Sequence, residues 1–377
     1  MAGLYVHIPF CKRRCIYCDF FSTTLLHRRK EYVEALVKEI NWRKDEANEP
    51  IRTIYIGGGT PSVLDLSDIE KILKAIGTED KEEITMELNP GDASFEYLQG
   101  LRQIGIQRLS MGIQSFQDEL LQFLGRRHNA QQATQAVQMA QSVGFDNLST
   151  DLMYALPNQT MEQWKADIET AIDLGVQHIS SYGLMYEEGT ALTAMRDNKQ
   201  IEPIDEDTEN EMYDYLCERL KQAGFVHYEV SNFALPRYEA KHNSNYWNHT
   251  PYVGVGAGAH SYIGNIRSWN PDDLDVYING IMACDLCDDK QKELLTSLRE
   301  NEKLTKRDIY NEQIMLGLRT NRGILEPISN QSRANYERLE KLIQAGLLCK
   351  TTEGRIIATQ NGLHVLNQII EQLMIED

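Results

Sequence analysis

Short β-branched runs alternate with longer segments of helical period through the first half of the chain. This alternation is typical of βα units around a parallel sheet, because consecutive parallel strands need a crossover connection between them. The runs predict six strands, at residues 4–8, 53–56, 84–88, 108–113, 148–153 and 178–184. Six such units predict an α/β fold, a partial (β/α)6 barrel of the TIM-like kind, with functional residues at the carboxyl ends of the strands.

The helices between these strands have recognisable ends in the sequence. Ser67 and Thr160 are each followed three residues later by Glu or Gln, which is the spacing of a capping box. Gly144 and Gly175 are placed where a helix would end. The segment 29–46 is expected to form the first crossover helix.

Length and charge narrow the classes of protein that fit. A chain of 377 residues suggests two or three domains. No apolar run reaches the roughly 18 residues of a membrane span, and no secretory signal is recognisable, so a cytoplasmic location is expected. The net charge of -18 repels phosphate backbones and anionic lipid surfaces. Nucleic acid is therefore not expected as a partner, whereas transient membrane contact stays open.

Three of the seven cysteines lie close together near the N-terminus. Cys11, Cys15 and Cys18 have the spacing C-x3-C-x2-C. Three thiolates on a short loop can bind three irons of a [4Fe-4S] cube and leave the fourth iron open. An open iron can chelate the amino and carboxylate groups of S-adenosylmethionine (SAM), whose one-electron reductive cleavage gives a 5'-deoxyadenosyl radical.

A zinc site is the alternative reading of this triplet. A distant His or Asp would then have to supply the fourth ligand, and the spacing differs from the paired C-x2-C knuckles of ordinary zinc sites. Cys284 and Cys287 have knuckle spacing, but no second pair accompanies them. We expect these two cysteines to be structural.

The cysteine loop resembles that of a known group of proteins. HIPFC at 7–11 and CIYCDF at 15–20 are similar to the radical SAM loop of the coproporphyrinogen dehydrogenase and haem chaperone group. The oxygen-independent coproporphyrinogen III dehydrogenases have a fourth cysteine two positions after the third, where the HemW-type haem chaperones have an aromatic residue, here Phe20. The dehydrogenases also have a longer N-terminal extension, whereas ten residues precede Cys11. Both differences favour the chaperone branch, on a radical SAM barrel.

The resemblance implies a set of residues that contact SAM. It matches the turn GGGTPS at 57–62 to the segment that contacts the methionyl amino group, and glycines in such a turn let the backbone approach a ligand closely. It matches two tyrosines to aromatic positions beside the cluster and the adenosyl group, and four later residues to SAM contacts. The residues implied in this way are Gly58, Gly59, Thr60, Tyr5, Tyr17, Glu87, Gln114, Arg126 and Asp151.

A second motif, H-N-x-x-Y-W, occupies residues 242–247. A neutral histidine can be an axial ligand of haem iron, and Tyr246 and Trp247 would offer flat apolar surface to the macrocycle. The resemblance implies that this motif is used for haem, which makes His242 the favoured ligand. His249 and His260 are close enough in sequence to compete.

The chain divides by motif into three parts. Residues 1–235 form the predicted barrel with the [4Fe-4S] and SAM site, and 236–300 form a linking segment that carries the haem motif. Residues 301–377 are interpreted as helix, helix, a short hairpin around 351–358 and a helix, a smaller α+β winged-helix-like domain. Because this domain lacks a basic cluster, we interpret it as a cap or partner surface.

Three functions are consistent with these features of the sequence. The leading hypothesis is a haem chaperone that binds haem and passes it to apo-haemoproteins, on a core that holds a [4Fe-4S] cluster and SAM. The alternatives are an oxygen-independent coproporphyrinogen III oxidase of porphyrin biosynthesis and a SAM-binding regulator that uses the winged helix on DNA. An electron donor for the cluster is an expected partner, and Lys12, Arg13 and Arg14 are either its docking patch or a solvated loop. No catalytic residue is assigned, and whether the protein is an enzyme is left open.

Overall fold

The computed structural model describes residues 1–283, 298–325 and 333–375. Cys284 and Cys287 lie outside the described residues. The strands are β1 (Ala2–Ile8), β2 (Ile51–Gly58), β3 (Glu83–Leu88), β4 (Arg108–Gln114), β5 (Leu148–Tyr154), β6 (His178–Gly183), β7 (Val226–Glu229), β8 (Asn232–Ala234), β9 (Tyr252–Val255), β10 (His260–Ile263), β11 (Ile266–Trp269), β12 (Glu300–Lys303), β13 (Ile324–Leu325), β14 (Leu348–Lys350) and β15 (Arg355–Ala358).

The α-helices lie mostly between the strands. They are α1 (Arg29–Arg43), α2 (Leu66–Ile76), α3 (Phe95–Gln103), α4 (Asp118–Leu124), α5 (Ala130–Ser142), α6 (Met161–Asp173), α7 (Ala191–Asp197), α8 (Glu206–Gln222), α9 (Lys241–Trp247), α10 (Leu274–Ala283), α11 (Lys306–Leu318), α12 (Arg333–Gln344), α13 (Gln360–His364) and α14 (Leu366–Leu373). Short 3-10 helices occupy Leu26–Arg28, Pro61–Val63 and Pro90–Asp92.

The first six strands are parallel and neighbour one another in sequence order. This order is that of a partial (β/α)6 barrel, so the α/β fold is confirmed. All six predicted strands are present, and no end is displaced by more than two residues. Their apolar residues are buried on both sides because helices cover the outer face of the sheet, as parallel sheets require.

The predicted capping box at Thr160 and the predicted helix-ending glycines are present in the structure. Thr160 forms a capping box with Gln163: its Oγ1 accepts from the Gln163 N–H at 3.2 Å, and the Gln163 Oε1 accepts from the Thr160 N–H at 2.9 Å. Gly144 and Gly175 follow α5 and α6 in the left-handed region. The capping box at Ser67 was wrong, because α2 begins one residue earlier and places Ser67 inside its first turn, with Asp65 at the N-cap.

The described part of segment 236–300 extends the sheet, although the sequence predicted a link. Strand β9 pairs in parallel with β1, and β10, β11 and β12 continue that edge with antiparallel pairing. At the opposite edge β8 pairs antiparallel with β6, and β7 pairs antiparallel with β8. The added strands were missed because each has three or four residues, which is too short for a clear alternation.

A buried ion pair joins this added edge to the first helix. Glu39 and Arg43 are each 1% exposed, and the Arg43 Nη1 donates to the Glu39 Oε1 at 2.9 Å and to the Gly254 carbonyl at 2.6 Å. The Tyr277 hydroxyl donates to the other Glu39 oxygen at 2.6 Å. Since a buried charge is stable only when paired, these bonds fix β9 and α10 against α1.

The C-terminal domain has its own core and a three-stranded antiparallel sheet in the order β13-β15-β14. The predicted hairpin is present as β14 and β15, which confirms a smaller α+β domain. This domain contacts the barrel at its β7 edge, where the Asn321 N–H donates to the Tyr228 carbonyl at 3.1 Å. Across the described ranges, none of the helices combines the length and apolar character that a bilayer span requires.

Candidate cofactor site

A cavity of about 480 Å³ lies at the carboxyl ends of the six parallel strands, and we call it the upper cavity. Its wall contains every residue that the sequence assigned to the cluster or to SAM. These are Cys11, Cys15, Cys18, Tyr5, Tyr17, Gly58, Gly59, Thr60, Glu87, Gln114, Arg126 and Asp151. Residues that are up to 146 positions apart thus meet in one place because parallel strands bring their carboxyl ends to one side of the barrel.

The cysteine loop is held in place by contacts from both sides. The Cys11 N–H donates to the Thr23 carbonyl at 2.9 Å, the Thr60 hydroxyl donates to the Cys11 sulfur at 3.4 Å, and the Arg126 Nη1 donates to the Cys15 sulfur at 3.3 Å. Burial raises the pKa of the Cys11 thiol. A buried thiol becomes a thiolate when a cation binds it, so this loop is suited to a positively charged metal group.

The spacing of the ligands favours a cluster over a single ion. Within the described ranges, no three His, Cys, Asp or Glu side chains are close enough together to hold one metal ion. Thiolates that bind three different irons of a cube stand further apart than ligands of one zinc ion. The described residues therefore do not form the alternative zinc site, and the three thiols on one loop are the donor type that a cluster takes.

The glycine turn lies directly against the cysteine loop. A Cβ atom on Gly58, whose φ is +113°, would come within 2.6 Å of the His7 ring. A Cβ on Gly59 would come within 2.9 Å of the Phe10 carbonyl oxygen and 3.0 Å of the Cys11 sulfur. These positions need glycine because any side chain would displace the loop.

Two half-buried carboxyl groups, those of Glu87 and Asp151, line the upper cavity. The Tyr55 hydroxyl donates to the Glu87 Oε1 at 2.9 Å, and the Gly58 N–H donates to its Oε2 at 3.0 Å. Burial raises the pKa of Glu87 to about 7 and raises that of Asp151 as well. The Ser110 hydroxyl donates to Asp151 at 3.1 Å. Both carboxyl groups keep lone pairs that can accept hydrogen bonds from a ligand.

Arg126 and Gln114 form a corner at the end of β4. The Arg126 Nη2 donates to the Gly112 carbonyl, and its Nε is buried without a partner in the described structure. The register between β4 and β5 shifts at Gly112, and Gln114 has a φ of +72°. A buried donor without a partner is costly, so this corner is suited to a ligand that accepts, such as a carboxylate.

Several wall residues were missed by the sequence analysis. Tyr55, Ser110, Ser180, Tyr182 and Asn243 also line the upper cavity. Strand alternation could have found one of them, because Ser110 lies four residues before the predicted Gln114 on β4 and shares its face. Asn243 comes from α9, and no pattern in the sequence indicates that it reaches this cavity.

Salt bridges of Asp92 hold the cysteine loop against neighbouring segments. Asp92 accepts from Lys12 at 2.7 Å and from the Arg127 Nη2 at 2.8 Å, and the Ser62 hydroxyl donates to it at 2.9 Å. Burial alone would raise the pKa of Asp92, but the bonds from Arg127 and Lys12 outweigh it and hold the pKa below its usual range. Lys12 therefore forms an ion pair with Asp92, and it is less available to a docking partner than the sequence suggested.

His242 lies apart from the upper cavity, in the interior of the barrel. Its ring is fully buried, with Nδ1 hydrogen-bonded to the Thr53 hydroxyl at 2.9 Å and Nε2 to the Tyr246 hydroxyl at 2.9 Å. Its ring also stacks on Tyr55, with centroids 5.4 Å apart. Burial lowers the pKa of His242 to about 3. Both nitrogens are engaged, so iron ligation by this ring requires one of these bonds to break and the interior to open.

The two competing histidines have more accessible surroundings. His249 Nδ1 is hydrogen-bonded to the Tyr262 hydroxyl at 3.0 Å. Its Nε2 is buried, lies 3.9 Å from the Glu312 Oε2 and has no hydrogen-bond partner in the described residues. His260 is exposed and stacks on Trp269, with centroids 5.6 Å apart.

Comparison with known proteins gives consistent results along the chain. Residues 5–171 match the family model for the radical SAM superfamily, and 304–365 match that for the HemN C-terminal domain. The chain is 37% identical to the haem chaperone HemW of Lactococcus lactis, over 99% of this chain and 97% of that protein. It is 35% identical to HemW of Bacillus subtilis, over 86% of this chain and 85% of that one.

Among solved structures, the fold is similar to that of the coproporphyrinogen III oxidase HemN of Escherichia coli. The TM-score is 0.80 at 24% identity, over 99% of this chain and 90% of that one. This similarity concerns the fold, and it includes both the barrel and the C-terminal domain.

Proposed function

This chain belongs to the family of HemW haem chaperones in the radical SAM superfamily, and we propose that it binds haem and passes it to apo-haemoproteins. The observation that carries the proposal is the similarity to haem chaperones along nearly the whole of both chains, including the segment with H-N-x-x-Y-W. The superfamily implies SAM and an iron-sulfur cluster as cofactors. Haem, its transfer and its recipients are the proposed part.

In the upper cavity we propose specific roles for the residues that the resemblance named. Cys11, Cys15 and Cys18 would hold the cluster, which with SAM supplies one-electron chemistry. The Arg126 guanidinium is suited to the SAM carboxylate, because it is fixed by Gly112 and its Nε lacks a partner.

The other walls supply acceptors and shape. Glu87 is proposed to accept from the ribose hydroxyls, and the Gly58–Gly59 backbone to lie along the methionyl group. Gln114 and Asp151 close the far wall, while Tyr5 and Tyr17 cover the apolar side. The exposed Phe20 and Met185 at the mouth, 65% and 66% exposed, would meet whatever approaches the opening.

That His242 ligates haem stays a prediction, and its contacts support a structural role instead. A ring that is fully buried and bonded at both nitrogens orients its neighbours Thr53 and Tyr246. An electron donor to the cluster is likewise proposed from the chemistry of the site, and Arg13 and Arg14 lie at the cavity wall where it would dock.

The test uses one anaerobically reconstituted sample for two assays. Titration with haemin is expected to give a saturable Soret band, and the loaded protein is expected to lose that band to an added apo-haemoprotein. Incubation with coproporphyrinogen III, SAM and reductant is expected to give no protoporphyrinogen. Multiple-turnover decarboxylation without haemin binding would instead identify a coproporphyrinogen III oxidase.

A further inference from the structure

A carboxylate on an outer helix holds the turn that follows β4. Asp167 lies on α6, is 0% exposed and does not line the upper cavity. Its two oxygens accept three hydrogen bonds, and all three come from residues 115–117, which join β4 to α4. A residue outside the cavity therefore fixes a segment that leads directly out of the cavity wall.

Each bond comes from a different residue of this turn. The Ser115 hydroxyl donates to the Asp167 Oδ2 at 2.6 Å. The Phe116 N–H donates to Oδ1 at 2.8 Å, and the Gln117 Nε2 donates to the same oxygen at 3.0 Å. The Ser115 hydroxyl oxygen also accepts from the Gln117 N–H at 3.0 Å. Three bonds to successive residues fix both the position of the turn and the direction in which the chain leaves it.

The burial of this carboxyl group is not explained by stability alone. Across the described ranges, Asp167 forms no ion pair, and burial raises its pKa although the bonds from the turn act against the rise. An apolar side chain of similar volume often holds two segments together at least as well as a buried charged group does. What the carboxylate adds is direction, because its bonds require the donors of the turn to point at two defined oxygens.

The residue immediately before this turn is strained. Gln114 has a φ of +72°, which is rare for a residue with a side chain, and the register between β4 and β5 shifts at the same place. Such a backbone conformation persists only where the surrounding contacts impose it. The bonds to Asp167 begin at the next residue, Ser115, so they lie where they can impose the conformation of Gln114.

The turn also determines where α4 begins, and through α4 it determines the position of Arg126. The Arg126 N–H donates to the Leu121 carbonyl at 2.9 Å, in the last turn of that helix. Gln163 of α6 donates to Glu119 of α4, which gives a second link between the two helices. Arg126 is thus attached to a helix whose start and side are both held by α6.

Gln114 and Arg126 meet beside Gly112. A Cβ atom on Gly112 would come within 3.0 Å of the Gln114 Nε2 and within 3.1 Å of the Arg126 Nη2. Both side chains line the upper cavity. The contacts of Asp167 therefore act on the corner that is proposed to take the carboxylate of SAM.

We propose that Asp167 is a positioning residue for SAM, which holds the turn at 115–117 so that Gln114 and Arg126 face the SAM carboxylate. This inference rests on the proposed function, in its assignment of the SAM site, and it names what sets the geometry of that site. Asp167 does not touch the ligand, and it acts through the turn and through α4.

The test compares SAM with decarboxylated SAM, which lacks the carboxylate, by equilibrium dialysis of anaerobically reconstituted protein. Asp167→Ala is expected to weaken SAM about tenfold or more and decarboxylated SAM by less than about threefold. Ser115→Ala removes one of the three bonds and is expected to weaken SAM about threefold. Asp167→Asn keeps an oxygen for the Phe116 N–H and should stay within about threefold of wild type.

The matched control is a buried aspartate on another outer helix. Asp68 of α2 is 1% exposed and pairs with Lys30 at 2.8 Å. Asp68→Ala is expected to lose stability and to keep its affinity for SAM within about twofold. Iron content should stay at about four atoms per chain in all of these variants, since none of them changes a cysteine.

The outcomes separate this inference from the function on which it rests. If wild-type protein binds no SAM, the SAM site and the inference fail together, whereas Soret titration of the same sample with haemin reports on the chaperone function. If wild type binds SAM but Asp167→Ala and Ser115→Ala bind it like Asp68→Ala, the site stands and the role of Asp167 is wrong. Equal losses for SAM and decarboxylated SAM would also overturn it, because the whole cavity would then have loosened. If Asp167→Ala does not fold, Ser115→Ala decides between these results.

Discussion

The two cavities of this molecule are built in different ways. The upper cavity is formed by strand ends and by one cysteine loop within a single barrel, so its wall follows from the order of the strands. A second cavity, of about 920 Å³, lies where the amino end of the barrel meets the C-terminal domain, and its five basic residues are spread from Arg52 to Arg355. The difference shows that a site made of local motifs can be recognised in a sequence, whereas a site made where two domains meet becomes visible only in the structure.

The largest expected effect should abolish the cluster site in the upper cavity and leave the second cavity unchanged. Replacing Cys11, Cys15 and Cys18 together with serine removes every thiolate of the loop, so iron bound after anaerobic reconstitution should fall from about four atoms per chain to background. Haemin affinity, measured by Soret titration of the same variant, should stay within about twofold of wild type, since none of His242, His249 and His260 lines the upper cavity. Loss of haemin binding in this variant would mean that haem binding depends on the cluster site.

The next effect tests the buried ion pair between Glu39 and Arg43 at the added edge of the sheet. Arg43→Met leaves Glu39 buried without its charge partner, and it should lower the free energy of unfolding by about 3–5 kcal/mol in urea titration. The matched control is Lys74→Met, which breaks an exposed pair with Glu70 and should cost about 0.5 kcal/mol or less. Equal effects of the two changes would contradict the structural role assigned to this buried pair.

A smaller effect concerns the shape of the upper cavity alone. Gly58→Ala introduces a Cβ at 2.6 Å from the His7 ring, which should displace the glycine turn and weaken SAM binding about tenfold or more in equilibrium dialysis. Gly144→Ala is the matched control, because Gly144 also has a positive φ but a Cβ there meets nothing within 4 Å. Both variants should lose some stability, and only Gly58→Ala should lose affinity for SAM.

The smallest expected effect is a pH dependence that comes from the upper cavity. Burial raises the pKa of Glu87 to about 7, whereas an unfolded glutamate titrates near about 4.3, so the folded protein binds the extra proton between these values. Stability from this group is therefore complete below about pH 4.3 and is lost as the pH rises to about 7. The free energy of unfolding of the wild type should therefore fall relative to that of Glu87→Gln as the pH rises over this range. A difference between wild type and Glu87→Gln that stays flat from about pH 4.3 to about pH 7 would contradict the raised pKa of Glu87.

The sequence predicted the barrel and the wall of the upper cavity because both follow from local rules. The alternation of β-branched runs with helical segments located all six strands, and the motif residues met where parallel strands end. The partners within the site were not predictable: no pattern indicates that Arg126 contacts the Cys15 sulfur or that Asn243 reaches this cavity. Such contacts depend on how loops of distant origin pack together.

The haem motif shows the opposite case. The H-N-x-x-Y-W motif made His242 the favoured haem ligand, but the packing of α9 against β1 and β2 buries this side chain completely. The four strands of 252–303 were too short to recognise, and the pairing of β9 with β1 depends on residues about 250 positions apart. Long-range pairing of this kind leaves almost no local trace.

The measurement that tests the account most directly is the electron paramagnetic resonance spectrum of the reduced, reconstituted protein with and without SAM. The account predicts the signal of a [4Fe-4S] cluster, and it predicts that SAM changes this signal because one iron has no protein ligand. A protein that takes up no iron and sulfide, or a cluster signal that saturating SAM leaves unchanged, would contradict the assignment of the three cysteines and of the upper cavity.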